Sequence, residues 1–305
     1  MNDVPLYYRQ RHEIDSNKWD QCIDSASNGL IYSYSFYLDQ MADHWDAIIL
    51  NDYEAVMPLP WRKKFGIYYL YQPFLTPQLG IIGKTISNEL VERFIEAVPK
   101  KFRFWEINFN GHNFIESTRL PVQKKHNYFL ELNKSYEEIK RAFNQNAKRN
   151  IARAIRSGCV YKNEESFEEI LTPAIRQLQN YSRFSQTDTE NFKQLVRKFI
   201  FNKKAKAVSV YQNGVLCAGA IFLFSRHTAY YILATTTKPG KETGASHYLI
   251  DQFIKFHANK IAILDFAGSD VTSVAFFYEC FGAQVYHYPS VRINNLPSLI
   301  KWIKN

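Results

Sequence analysis

The chain has 305 residues, of which 46% are hydrophobic, 16% aromatic and 22% charged, and its net charge is +9. That balance excludes a disordered chain and gives room for two domains with cores of their own. No run of about 18 apolar residues crosses a membrane, and the excess of Lys and Arg favours an anionic partner such as a phosphorylated cofactor, a nucleic acid or an acidic surface.

The N-terminus, Met1-Asn2-Asp3-Val4-Pro5, lacks the basic and apolar regions of a signal peptide, so the expected location is cytoplasmic. The cysteines Cys22, Cys159, Cys217 and Cys280 are far apart, which fits free buried thiols in a reducing compartment. Neither CxxC nor HExxH occurs, and no metal site is expected.

In chain order, Trp19–Ala26 reads as a short helix after the cap candidate Ser16, and Ser35–His44 as another. The run Ala47–Pro60 reads as strand, turn, strand. An aromatic run over Ile67–Tyr71 stops at Pro73 and Pro77, which cannot continue a central ladder. Ser87–Lys100 carries Leu90, Val91, Phe94, Ile95 and Val98 at helical spacing, with Ser87 as cap. Strands follow at Phe102–Phe109 and Asn127–Leu132.

Ser135–Ser157 is a long helical stretch with one break. Ser135 and Glu138 open it as a capping box and Gly158 closes it. Its Ile139, Phe143, Ile151, Ala154 and Ile155 are expected on the core face, with Arg141, Lys148, Arg149, Arg153 and Arg156 off that stripe. A solvated charged face explains those cations, and so does an electropositive wall for an anionic acyl carrier or acceptor, with salt-sensitive binding.

Helices at Phe167–Tyr181 and Thr189–Asn202 precede strands at Ala205–Tyr211, Val215–Phe224 and Thr228–Thr236. Asn213-Gly214 is a hairpin turn, because both residues tolerate positive φ. Helix Gly244–Ala258, strand Ala262–Phe266, helix Thr272–Phe281, strand Gln284–Arg292 and a short helix after Pro297 complete the chain.

The pattern repeats after about 160 residues. Ala47–Pro60 parallels Ala207–Ala220, and Phe104–Phe109 parallels Ile263–Phe266. The expectation is a mixed α/β fold built twice, divided near Asn133 into 1–133 and 134–305.

Between the strand ending at Thr236 and the helix from Gly244, a polar loop carries Lys238 and Lys241. Free N–H groups at a helix start plus two ammonium groups suit a phosphate or pyrophosphate. An ordinary strand-to-helix turn explains the same residues. Neither GxxxxGK[ST] nor GxGxxG is present.

Lys241-Glu242-Thr243-Gly244-Ala245-Ser246 resembles the acyl-CoA motif of GNAT acyltransferases, Gln/Arg-x-x-Gly-x-Gly/Ala. Lys stands where that motif has Gln or Arg, and Ser where it has Gly or Ala. The segment Tyr278-Glu279-Cys280-Phe281-Gly282-Ala283 is similar to the point where a GNAT helix ends. The resemblance gives Tyr278 the role of protonating a leaving thiolate. A half-buried Tyr on an amphipathic helix is the plain alternative.

Two such halves in one chain resemble the Fem-type (FemAB) peptidyltransferases and related tandem GNAT-like proteins. Trp19 with Tyr34–Tyr37, the basic helix Asn146–Gly158, and Asp265-Phe266-Ala267-Gly268 carry that likeness. It implies two GNAT-like domains in tandem and an acyl or aminoacyl donor, either acyl-CoA or aminoacyl-tRNA. It also implies an amine acceptor, small or like a peptidoglycan precursor, with tRNA as a possible partner. Lys238, Lys241, Gly244, Ala245 and Ser246 would hold the donor. Tyr69, Tyr71 and Gln72, with Lys148 and Arg149, would shape the acceptor side.

Acyl transfer to an amine needs a base, an oxyanion stabiliser and an acid. Asp265 ends a strand and is a candidate base, with Asp270, His247 and His287 as alternatives. No GxSxG occurs, so direct transfer without a covalent enzyme intermediate is expected. Two other function classes stay open: a non-catalytic GNAT-like protein that binds a metabolite or partner, and an RNA-binding protein.

Overall fold

The computed structural model describes residues 4–115, 120–164, 167–181 and 183–296. The chain forms two compact units, Met1–Lys125 with His287–Asn305, and His126–Tyr286. The helix expected after Pro297 lies outside the described residues.

In the first unit β1 (Leu6–Gln10) precedes α1 (Ser16–Ser25) and α2 (Ser35–Met41). Asp15, one residue before the expected cap, closes α1 by accepting from the amides of Asn17 and Lys18. β2 (His44–Leu50), β3 (Ala55–Lys64), β4 (Ile67–Leu70) and the short β5 (Ile82–Gly83) follow, then α3 (Asn88–Glu96) and β6 (Phe102–Asn108). The Ser87 hydroxyl caps α3 by accepting from Leu90 N. The apolar face of α3, with Val91, Phe94 and Ile95, packs in one core with Ile48, Met57, Leu70 and Ile107.

The next segments are β7 (Val122–Glu131), α4 (Tyr136–Arg141), α5 (Gln145–Arg156), β8 (Val160–Glu164), α6 (Glu168–Leu178) and α7 (Gln186–Phe201). The break expected in the long basic stretch falls between α4 and α5. Ser135 and Glu138 make the capping box of α4, and Asn144 caps α5. Ile139, Phe143, Ile151 and Ala154 are buried. Ile155, expected beside them, is 58% exposed. It lies one residue past Ala154, about 100° around a helix of 3.6 residues per turn, and off the stripe that Ala147, Ile151 and Ala154 set.

The second unit is completed by β9 (Ala205–Gln212), β10 (Val215–Ser225), β11 (Thr228–Thr236), α8 (Lys238–Thr243), α9 (Ala245–His257), β12 (Ile263–Asp265) and α10 (Thr272–Glu279). β13 (Gln284–Asn294) ends the described chain. Asn213 and Gly214, both at positive φ, turn β9 into β10 as the sequence predicts.

The strand order exposes the duplication. In the first unit β1, β2, β3 and β4 run antiparallel in sequence, β4 pairs parallel with β6, and β6 pairs antiparallel with β13. In the second unit β8, β9, β10 and β11 run antiparallel, β11 pairs parallel with β12, and β12 pairs antiparallel with β7. Order and sense are the same, position by position.

One feature departs from a simple repeat. β7 follows β6 in the chain yet closes the sheet of the second unit, and β13 follows β12 yet closes that of the first. The closing strands are exchanged. A division near Asn133 follows chain order; the compact units instead change at residues 125/126 and return at 286/287.

Candidate functional site

The segment Lys238–Thr243, expected as an open loop, is helix α8. Its start is built by a bulge in β10, where the register against β9 shifts between Leu216 and Ala218. The displaced Cys217 carbonyl accepts from Thr237 N at 2.9 Å, and the Thr237 hydroxyl donates to Leu216 O at 2.9 Å. Thr237 then caps α8, accepting from Gly240 N at 3.3 Å. Pro239 sits in the first turn, where its missing N–H costs nothing.

α8 lies directly on β10. A Cβ on Gly240 would stand 1.9 Å from the Cys217 carbonyl oxygen. Gly244 joins α8 to α9 in the left-handed conformation, φ +79°, and a Cβ there would stand 2.6 Å from Asn150 O of α5. This glycine therefore lets three helices meet. Lys238 and Lys241 are exposed, Gly244 and Ala245 are buried, and Ser246 is half-buried. The Ser246 hydroxyl is 2.6 Å from that of Thr236.

The basic helix α5 brings polar side chains to the start of α9. Asn146 Nδ2 is 3.5 Å from His247 Nε2 and 3.4 Å from Cys280 Sγ, and Asn144 Nδ2 donates to the same sulfur at 3.4 Å. Arg149 donates to Asn146 Oδ1 at 3.3 Å, and Arg153 donates to the Glu242 carbonyl at 3.2 Å. Lys148 and Arg149 are exposed on this helix. Burial, with the nearby Arg153 cation, pushes His247 down to about 4, so its imidazole is neutral at pH 7.

Asp265 ends β12 and is 7% exposed. The Asn127 amide nitrogen lies 3.0 and 2.9 Å from its two oxygens, and Ala267 N donates to Oδ1 at 2.7 Å. Asn127 Nδ2 also reaches the Tyr286 hydroxyl at 2.6 Å. Burial raises the Asp265 carboxyl to about 6, against the hydrogen bonds from Asn127, Ala267 and Tyr286, which pull it down. Ala267 and Gly268 both have positive φ, so the chain turns sharply behind the carboxylate.

The ring of Phe266, next in the chain to Asp265, stacks on that of Tyr278 with centroids 4.4 Å apart. Tyr128 and Tyr231 complete the aromatic group, with centroids 5.7 and 6.3 Å from Tyr278. Tyr278 is 6% exposed, and burial, with Tyr231 and Asp265 adding to it, raises its hydroxyl well above the usual phenol value. It stays protonated at neutral pH.

The other candidate bases differ in setting. Asp270 is exposed and paired with His126 Nδ1 at 3.0 Å. His287 is exposed and belongs to the first unit.

Tyr69, Tyr71 and Gln72 also belong to the first unit. The Tyr71 hydroxyl accepts from Asp43 N at 2.9 Å, with the Arg62 guanidinium over its ring at 4.2 Å. Gln72 Oε1 accepts from Asn108 N at 3.0 Å, and its amide donates to Thr76 O. Tyr69 is half-buried between Tyr71 and Phe104. These contacts fix the turn after β4. An open depression of about 570 Å³ on the same unit is lined by Lys18, Cys22, Asp52, Glu54 and Lys84 and holds none of the catalytic or binding residues expected from the sequence. Its Cys22 thiol is pushed up to about 11 by burial.

Sequence reasoning passed over Asn127, Tyr286 and Asn146. Asn127 had one visible signal, a small amide in a run of aromatic and apolar residues. Among the described residues no group of His, Cys, Asp and Glu could hold a metal ion, and no helix is long and apolar enough to cross a membrane.

No protein-family model and no curated protein matches the chain. Solved structures do. FemX has a TM-score of 0.70 at 12% identity, covering 96% of this chain and 99% of its own. L-PGS from Bacillus licheniformis has a TM-score of 0.52 at 14% identity, covering 95% of each chain. A tandem GNAT protein from the clavulanic acid biosynthesis pathway has a TM-score of 0.52 at 10% identity, covering 96% of this chain and all of its own. The chain has the fold of these proteins, a tandem of two GNAT-like halves.

Proposed function

We propose that the chain belongs to the Fem-related tandem GNAT group and transfers an acyl or aminoacyl group from an activated thioester or ester to an amine. The donor class is acyl-CoA or aminoacyl-tRNA, and the acceptor is a small amine or one like that of a peptidoglycan precursor. The observation that carries this reading is the buried carboxyl of Asp265, held at the end of β12 by Asn127 and Ala267 and raised to about 6, with the protonated Tyr278 stacked on the neighbouring Phe266. The likeness to FemX over nearly the whole of both chains supports the same class of reaction.

Asp265 takes the proton released when the amine nitrogen bonds to the donor carbonyl carbon. The bond from that carbon to the leaving sulfur or oxygen breaks, and Tyr278 supplies the proton the leaving group needs. Asp265 suits the base role better than His247, since a base is most effective when it titrates near the working pH, and His247 is pushed down to about 4. Lys238, Lys241 and Gly244–Ser246 form the donor end, with Lys148 and Arg149 as a cationic flank.

A second reading, a GNAT-like protein that binds its ligand without turnover, is favoured by α8. Gly240 and Gly244 are occupied with helix packing, and the two lysines lie on the outer surface of a folded helix rather than in a flexible loop. The two readings part in one experiment: labelled acyl-CoAs and aminoacyl-tRNAs are incubated with the protein and a panel of amine acceptors, with product and melting temperature followed together. Product formed at an Asp265-dependent rate supports the transferase. A melting shift with no product supports the binding protein.

A further inference from the structure

The β3–β4 hairpin of the first unit ends in an unusual turn. Lys64 pairs with Ile67, which leaves Phe65 and Gly66 as a two-residue loop, both at positive φ. Such turns favour Asn, Asp or Gly, because a Cβ is crowded there. Phe65 adopts φ +51° and is nevertheless 83% exposed. The ring gains little burial at this point.

Cations surround it. Arg62, Lys63 and Lys64 precede the turn. β6 starts beside β4, with Phe102 opposite Tyr68, so Lys100 and Lys101 join the same end of the sheet. Asp43 pairs with Arg62, and Asp46 lies 3.6 Å from Lys101. Lys63, Lys64 and Lys100 are exposed. The Lys63 ammonium lies 4.8 Å from the Tyr68 ring centroid, and that of Lys64 lies 5.5 Å from the Phe65 ring. The ring projects at the apex, and the charges sit behind it.

We propose that this hairpin docks the protein on an anionic lipid surface, with Phe65 entering the boundary between headgroups and acyl chains and the lysines lying at phosphate level. An apex ring with long cationic side chains beside it matches an interface that is apolar below and negatively charged above. A nucleic acid would be served better by an open aromatic face between the cations. Here Tyr68 is half-buried, edge-on to Trp61, with Lys63 and Lys101 over its ring. The inference is independent of the chemistry assigned to the second unit.

The test is co-sedimentation of the full chain with vesicles of phosphatidylcholine alone, or of phosphatidylcholine with about a third phosphatidylglycerol. The protein is expected on the anionic vesicles only, and to leave them as salt is raised. Lys63→Ser and Lys64→Ser should each weaken partition about fivefold, the equivalent of one cation lost at an anionic surface. Phe65→Asn should also weaken it while keeping or raising the melting temperature, because Asn accepts positive φ more readily. Phe65→Trp should bind and be quenched by brominated acyl chains. Equal binding of Phe65→Asn and the parent, or no binding to anionic vesicles, overturns the proposal. So does tight binding of single-stranded RNA that needs Phe65 while vesicles are ignored.

Discussion

The environment of Asp265 makes a pH prediction with a definite sign. Burial lifts its carboxyl from an ordinary 3.8 to about 6. The folded protein therefore binds a proton more tightly than the unfolded chain does. Stability from this group is fully present below about pH 3, under the unfolded value, and is lost as pH rises through about 6. The gap of about 2.2 pH units, at about 1.36 kcal/mol each, amounts to about 3 kcal/mol. With 7% of the residue exposed, solvent screens little of it. Asp265→Asn keeps the shape and removes the titration. Urea unfolding of parent and variant should be measured at intervals from pH 4 to pH 8. The difference in unfolding free energy should move by about 2.4 kcal/mol in favour of the variant across that range, the unfolded carboxyl being already more than half ionised at pH 4, and nearly all of it below pH 7. A flat difference, or one that moves in favour of the parent, would refute the argument that desolvation outweighs the bonds from Asn127, Ala267 and Tyr286.

Four further outcomes are expected. Gly244→Ala combines a left-handed backbone with a Cβ 2.6 Å from a backbone oxygen, and should cost about 3 kcal/mol in denaturant unfolding, whereas Gly158→Ala, at φ +74° with open space around it, should cost about 1 kcal/mol. Tyr278→Phe keeps the stack on Phe266 and should leave the melting temperature within a few degrees, while transfer falls by about 10²-fold or more if Tyr278 protonates the leaving group. Ile151→Ala should cost about 2–4 kcal/mol, and Ile155→Ala less than about 0.5 kcal/mol, as thermal unfolding will register. Ending the chain at Tyr286 removes most of β13 and the fully buried Val291, so the first unit should lose its protection in hydrogen exchange even though residues 1–125 are intact.

What could be read from the sequence was whatever local chemistry decides. Ser87, Ser135 with Glu138, and Asn213-Gly214 announced their caps and turn because each satisfies or positions backbone groups within three or four residues. The repeat was legible for a related reason: hairpin, helix and parallel strand recur with the same apolar spacing. The strand exchange was invisible, because β7 and β13 offer similar alternating edges and neither says which sheet it will close. β1 and β8 were missed, being short strands with several polar residues.

At the candidate site, Asp265 and Tyr278 were named from position and resemblance, but the stack of Tyr278 on Phe266 depends on how α10 packs. α8 was misread as a loop. Thr235–Thr237, Pro239 and Gly240 suggest irregular backbone, yet Thr237 is a cap, Pro239 fits a first turn, and Gly240 is needed for contact with the bulge at Cys217. Ile155 shows the limit of counting apolar spacing, since a stripe one residue too wide still looks amphipathic.

The most direct measurement is the rate of single-turnover transfer from a labelled acyl or aminoacyl donor to an amine, followed from pH 5 to pH 9 in the parent and in Asp265→Asn. The parent should gain rate through an ionisation near pH 6, and the variant should be slower by about 10²–10⁴-fold with that limb gone. A variant that transfers as fast as the parent, with the same pH limb, would contradict the account.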